Sequence, residues 1–444
     1  MARGRGSVWL ALLAALALLA AACGGGDEEV DEATESAEDA GDEAAESDTE
    51  TTEAEDAGDG GGDEGEEATE EGGGGEPIKI GALTSLTGPF TSWGLHVEAG
   101  LKMAADDLNA AGGVDGRMIE IIVADDQSDA EEATVQFERL LEDGVVAIAG
   151  TISSGVGAAT AGLAEQNQVP LFLSKAGSDA ILTADSRYTF RTCLPAGPMN
   201  AIPWGQYAQD RGFTKVGQII ADYAWGQSFR AAAEGVFGEA GIELQTEVAP
   251  VPEQDFTTYL RSLDEFGPEL LLATGHPPGS GPILAQAADL GLDVNVAGPG
   301  SSLTAVLEAA GDTAIGRYAD HSCADYFSDD YAELATRYVA DTGLGFMEDD
   351  AVAMYAVVNA VADAVANVGD DPAAIGEYLH GQSYESPGMA YPLAWTEWGE
   401  LAQAQLVLIS VTAGPAPEGL NTAGDWWVEE LFTSAPLEPY VPGS

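Results

Sequence analysis

From residue 77 onward the apolar positions fall into alternating blocks. Short runs are apolar at nearly every position, and between them lie longer stretches where apolar residues recur every three or four. The first kind predicts strands buried on both faces, the second amphipathic helices. Strands are predicted at 78–86, 118–124, 145–149 and 170–174, alternating with helices at 94–111, 129–141 and 155–168. A short extended segment at 187–192 and a proline-rich run, Leu194-Pro195-Ala196-Gly197-Pro198, interrupt the series. It then restarts, with strands at 216–221, 242–249, 270–274 and 294–297 and helices at 227–240, 256–266, 281–290 and 302–310. A further stretch at 318–325 leads into helices at 329–341, 351–368 and 372–380, which have no strands between them and are expected to return to the first lobe. Residues 393–396 and 404–411, joined by a turn at Trp398-Gly399-Glu400, read as a closing hairpin on the second lobe. The pattern predicts an α/β chain of two doubly wound parallel-sheet lobes, joined by several crossings that form a hinge and a cleft.

In such sheets ligands gather beyond the carboxyl ends of the strands. Three loops fall there, at 84–93, 151–155 and 175–179. The second ends the apolar run 145–149 in a cluster of small residues and places Ser153 and Ser154 at a helix N-terminus, where free N–H groups and the helix dipole attract an anion. A carboxylate suits that place. The plain alternative is that the serines only cap the helix.

Composition changes the picture at both ends. Arg3 and Arg5 precede an apolar run at 8–22 that reads as a secretory signal covering residues 1–22. Leu19-Ala20-Ala21-Ala22-Cys23 resembles a bacterial lipobox with its leucine one place early, so Cys23 is the expected lipidation site. The rest of 23–76 is acids, glycines and small residues, with no Lys, Arg or aromatic residue. It predicts a disordered tether with a reach of roughly 40 Å. Residues 77–444 carry 52 acidic and 13 basic residues, a net charge near −39. That imbalance argues against nucleic acid or an anionic membrane surface as partner, and an acidic, lysine-poor surface suggests a halophilic setting in which salt screens the repulsion.

The four histidines are scattered and no CxxC, HxxxH or HExxH occurs, so no metal or other cofactor is predicted. No G-x-S-x-G elbow occurs and Gly155-Val156-Gly157 lacks the third glycine of a dinucleotide loop, so an enzyme is not expected. With Cys23 lipidated, Cys193 and Cys323 remain as an even pair for which a disulfide is plausible; two separate thiols are the alternative.

From Pro77 to about Thr412 the chain resembles the type I periplasmic binding proteins of the branched-chain amino acid class, the solute receptors of ABC importers. The carrying stretches are Ile80-Gly81 through Leu86-Thr87-Gly88-Pro89, Leu108-Asn109-Ala110-Ala111-Gly112-Gly113-Val114, Asp125-Asp126, Phe190-Arg191-Thr192, Asp255-Phe256-Thr257 and Pro392-Leu393-Ala394-Trp395-Thr396. The resemblance implies lobe 1 at 77–193 with 326–386, lobe 2 at 194–325 with 387–412, and a C-terminal tail at 413–444. It also implies ABC permease subunits as partners and an extracytoplasmic, membrane-anchored location. It places Cys193 and Cys323 on neighbouring inter-lobe crossings. A ligand carboxylate is expected at Ile152, Ser153 and Ser154 on one side and Ala176, Gly177 and Ser178 on the other, between Trp93 and Trp225 as an aromatic clamp. Two departures stand out. The acid that holds the ligand ammonium in amino-acid binders is Gly300 here, and a cleft tyrosine is Gly275, just before His276. Both predict a larger or differently charged pocket, with Asp222, Asp349 or Asp350 as substitute anion and Asp350 nearest the pocket. The expected ligand is an amino acid or related small carboxylate, the alternatives being a sensing receptor or a binder of aromatic or aliphatic acids or small amides.

Overall fold

The computed structural model describes residues 75–251, 253–274 and 279–443. The leader, Cys23, the acidic segment, Gly275 and His276 lie outside the described residues. The first half runs β1 (Ile78–Thr84), α1 (Thr91–Ala110), β2 (Ile119–Asp125), α2 (Ala130–Glu142), β3 (Ala147–Thr151), α3 (Ser154–Asn167), β4 (Leu171–Leu173) and β5 (Thr189–Arg191). Its strands make one parallel sheet in the order β2-β1-β3-β4-β5. β3 and β4 are buried at every position, as helices on both faces require, while β2 at the edge is only partly covered.

The second half runs α4 (Gly197–Arg211), β6 (Lys215–Ala221), α5 (Ala224–Ala240), β7 (Glu243–Ala249), α6 (Thr257–Phe266), β8 (Leu270–Ala273), α7 (Ser280–Asp289), β9 (Asn295–Gly298), α8 (Leu303–Ala310) and β10 (Tyr318–Ser322). α4 lies where the pattern reads as a proline-rich connection. Pro198 is tolerated in its first turn, and Met199, Trp204 and Tyr207 bury one side of it despite Pro203 inside.

The chain then forms α9 (Asp329–Thr342), α10 (Asp349–Val368), α11 (Pro372–Leu379), β11 (Ser383–Tyr384), β12 (Leu393–Ala394), β13 (Val407–Ala413) and β14 (Trp426–Thr433). α10 packs along α1 so closely that a Cβ on Gly100 would stand 2.3 Å from the Ala351 carbonyl oxygen. α10 is long and apolar enough to cross a membrane, but it is a core helix here, buried along most of its length. The second sheet has the order β14-β13-β10-β9-β8-β6-β7, parallel except that β13 runs antiparallel to both β10 and β14. These two parallel-based α/β sheets are the fold class the pattern predicts.

The structure changes one reading of the C-terminal region and fills in another. The turn at 398–400 does fold the chain back, pairing Trp395 with Leu401, but 404–411 is not the second arm: β12 pairs with β11, and Trp395 packs on Phe172 and Phe190 of the first sheet at ring distances of 5.8 and 5.2 Å. β13 finds its partners in β10 and β14 instead. The C-terminal tail, described to residue 443, docks on the second lobe: β14 completes the second sheet and Trp426 packs on Phe346 at 5.0 Å. β14 is half-buried, with Trp426 and Val428 covered and Glu429 and Glu430 exposed.

Candidate functional site

The loop after β3 ends at Ser153, whose backbone is extended and whose hydroxyl accepts the Gly155 N–H at 3.2 Å, capping α3. The next hydroxyl leaves the helix. Ser154 Oγ accepts the Ser178 N–H at 3.1 Å, which ties this loop to the one after β4. That second loop is braced by Arg191, fully buried, whose guanidinium donates to the carbonyls of Ala176 and Ser178 and pairs with Glu400 at 3.0 Å. Glu400 arrives on the turn at Gly399, where φ is +82° and a Cβ would collide with the Thr189 carbonyl. A buried arginine satisfied by two carbonyls and a carboxylate fixes the loop backbone rather than meeting a ligand.

Between the lobes lies a pocket walled by Phe90, Trp93, Ile152 and Lys175 from the first lobe, by Leu194 on the crossing, and by Tyr223, Trp225 and Gly300 from the second. Trp225 crosses the cleft to pack on Gly177, where a Cβ would stand 2.6 Å from the indole, so only glycine allows the approach. Phe90 lies 5.6 Å from Trp93 and 6.3 Å from Tyr223, centroid to centroid. The cavity measures about 10 Å³, the space of one water. The larger pocket expected from the loss of a side chain at position 300 is therefore not what the lobes enclose. Gly300 has φ +84°, a conformation that side chains rarely adopt, and Leu194 packs against it at about the distance a Cβ would touch. None of Asp222, Asp349 and Asp350 is in the wall; its charged residue is Lys175.

Behind the wall, α10 begins with three consecutive buried acids, each with its own partner. Glu348 accepts from the first turn of α8: Ser302 Oγ at 3.0 Å, Thr304 N at 2.9 Å, Leu303 N at 3.3 Å and the Thr304 hydroxyl. His96 of α1 lies 3.7 Å from Glu348 and bonds Tyr338 with its other ring nitrogen. Burial lowers the His96 pKa, with Glu348 opposing. Asp349 takes two bonds of 2.9 Å from Lys175 Nζ. Burial opposes the lysine charge, yet the neighbouring carboxylates of Asp349 and Asp350 prevail and raise its pKa. Asp350 accepts from Ser174 Oγ, and burial raises its pKa to about 7. Beside this cluster Cys193 and Cys323 form a disulfide, Cα–Cα 5.3 Å, joining the first two inter-lobe crossings.

Of the residues picked from the sequence, the structure brings Trp93, Ile152, Trp225 and Gly300 into the wall. Ser153, Ser154, Ala176, Gly177 and Ser178 frame it, with Ser153 and Ser154 bonded inside the protein. Asp350 stands behind it on Ser174. Asp222 is exposed, bonded to Gln227 at 2.7 Å, and is not in the wall. The sequence reading does not single out Lys175, Tyr223, Arg191, Glu348 or Asp320. Asp320 sits under Gly300, accepting its N–H at 3.1 Å, the His321 N–H at 2.7 Å and the Tyr318 hydroxyl at 2.8 Å. One signal for Lys175 is available: it is one of four lysines in 444 residues and lies in a loop already marked as ligand-facing.

The profile of the family described as "Periplasmic binding protein" matches residues 77–414. The chain is 26% identical over 323 residues to the leucine-, isoleucine-, valine-, threonine- and alanine-binding protein of Pseudomonas aeruginosa, covering 70% of this chain and 84% of that one. Among solved structures it superposes on the leucine binding protein of Thermotoga maritima (TM-score 0.70, 20% identity, 81% and 99% of the two chains). It superposes equally on a solute binding protein from R. palustris in complex with benzoate (TM-score 0.70, 20% identity, 82% and 98%). The profile spans most of the chain and every strand of the two sheets but β14, and the chain belongs to the periplasmic binding protein family.

Proposed function

We propose that this protein is an extracytoplasmic receptor of an ABC importer, one that captures a small carboxylate between its lobes and presents the closed form to a membrane permease. The observation that carries the reading is the inter-lobe cleft, where rings from both lobes and a lysine at the carboxyl end of β4 meet around the space of one water, so that a ligand enters only as the lobes part. Relatives named for branched-chain amino acids and for benzoate supply the class, since both ligands are small carboxylates with an apolar body. Lipid on Cys23 and the acidic segment after it would tether the receptor within reach of the permease.

Mass spectrometry of small molecules released by denaturing the purified protein tests the reading. A stoichiometric organic acid or amino acid is expected. Release of a neutral sugar or a polyamine, with no binding of any acid by the refolded protein, would overturn it. For the tether, Cys23→Ser is expected to shift the protein from the membrane fraction to the medium.

A further inference from the structure

We infer that Lys175 supplies the counter-charge for the ligand carboxylate, and that this cleft selects apolar acids lacking an α-ammonium group. The inference rests on the small-carboxylate reading above and narrows it. Lys175 is in the pocket wall while its partner Asp349 is not, and their ion pair ties that wall to the buried acids behind it. Two of the three ammonium hydrogens are used by the two oxygens of Asp349. The third has no acceptor among the described residues. Trp93 Nε1, also in the wall, is a buried donor with no protein partner among the described residues. Two under-used donors on neighbouring residues of one wall call for an acceptor once the lobes part to admit a ligand, and beside a lysine the best acceptor is a carboxylate.

An ammonium fares badly at the same place. No acid is among the eight described residues of the wall, and Lys175 repels a second cation there. Gly300, where the resemblance expects the ammonium-binding acid, has a backbone that favours glycine. Asp320 beneath it already accepts three hydrogen bonds from the protein, and burial drives it well toward the neutral form. A buried ammonium without a counter-charge is costly. The remaining wall is Phe90, Tyr223, Trp225, Ile152 and Leu194, surfaces suited to a flat or branched hydrocarbon body.

The competing account is that Lys175 only staples α10 to the loop after β4. Calorimetric titration of the ligand-stripped protein with matched pairs separates the two: 4-methylpentanoate against L-leucine, 3-phenylpropanoate against L-phenylalanine, and benzoate against benzamide. In the first two pairs the acid is expected to bind about tenfold tighter or more. The double variant Lys175→Met with Asp349→Asn removes the ion pair without stranding a charge. It is expected to lose about 30-fold or more for each acid that the wild type binds, and under about threefold for benzamide; Lys175→Arg should recover part of the loss. L-Leucine binding as tightly as 4-methylpentanoate, or a folded double variant with undiminished affinity for the acids, overturns the inference and leaves the receptor reading intact. A wild type that binds neither acids nor amino acids defeats both. If the double variant does not fold, the matched pairs on the wild type decide the selectivity.

Discussion

Two helices start at the carboxyl ends of parallel strands, one in each lobe, and the chain treats their first turns in opposite ways. α3 is capped by neutral groups from its own loops: Ser153 takes the Gly155 N–H, and Ser154 turns away to bond Ser178. α8 receives a full carboxylate from outside its lobe. Glu348, at the start of the helix that packs on α1, accepts four bonds from Ser302, Leu303 and Thr304. Both first turns carry the same partial positive charge. At α8 that charge is met by the protein's own anion, which spans the cleft as a latch. At α3 it is met by dipoles alone, so an incoming anion is favoured there. One strand-loop-helix pattern thus serves as a latch or as a ligand wall according to what the facing lobe brings to it.

The sharpest way to break this comparison is to remove the latch. Glu348→Ala leaves the α8 donors buried without their acceptor and is expected to destabilise the fold by about 3 kcal/mol or more in urea unfolding. Glu348→Gln keeps an acceptor and should cost less. A loss under about 1 kcal/mol for Glu348→Ala would mean that water replaces the carboxylate and that α8 is not held from across the cleft.

The second test uses pH. Burial raises the Asp350 pKa from 3.8 to about 7. Between those values the folded state keeps a proton that the unfolded chain has released, so the contribution of this group to stability is fully present below about pH 4 and is lost as pH rises to about 7. Asp320 and Asp126 are raised in the same sense, whereas Asp107 and Asp125 are lowered. The informative quantity is therefore the difference between wild type and Asp350→Asn. The variant is expected to flatten the fall in stability over that window and to be more stable than wild type at pH 8, by on the order of 2 kcal/mol. Parallel curves for the two proteins would show that Asp350 is already ionised and paired in the acidic range.

The sheet and helix order was legible because buried parallel strands write themselves as unbroken apolar runs, as in β3 and β4. What stayed hidden has a physical reason in each case. α4 starts in Gly197-Pro198, residues that punctuate loops as often as they open helices. β12 and β13 read as a hairpin because a Gly turn lies between them, yet Arg191 and Glu400 pull that turn onto β5. The site was half legible: a glycine under Trp225 and serines at a helix start leave local marks. Lys175, Glu348 and Asp320 act through partners 174, 46 and 20 residues away, and pairings at that separation leave no local pattern to read.

The smallest expected effect sharpens the comparison most cleanly, because it changes the same atom at both helix starts. Ser153 Oγ makes one capping bond of 3.2 Å, so Ser153→Ala should cost about 1 kcal/mol, the ordinary price of an N-cap. Ser302 Oγ accepts the Ala305 N–H at 3.3 Å and also donates to Glu348 at 3.0 Å. Ser302→Ala therefore loses a cap and a charge-assisted bond, for about 2 kcal/mol. In the Glu348→Gln background the second bond loses its ionic character, and the cost of Ser302→Ala should fall toward that of Ser153→Ala. The cost of Ser153→Ala should not change in that background, since the two helix starts share no partner. Equal costs for the two serines in the wild type would mean that Glu348 adds nothing to the α8 cap, and the contrast between latch and ligand wall would fail at its smallest part.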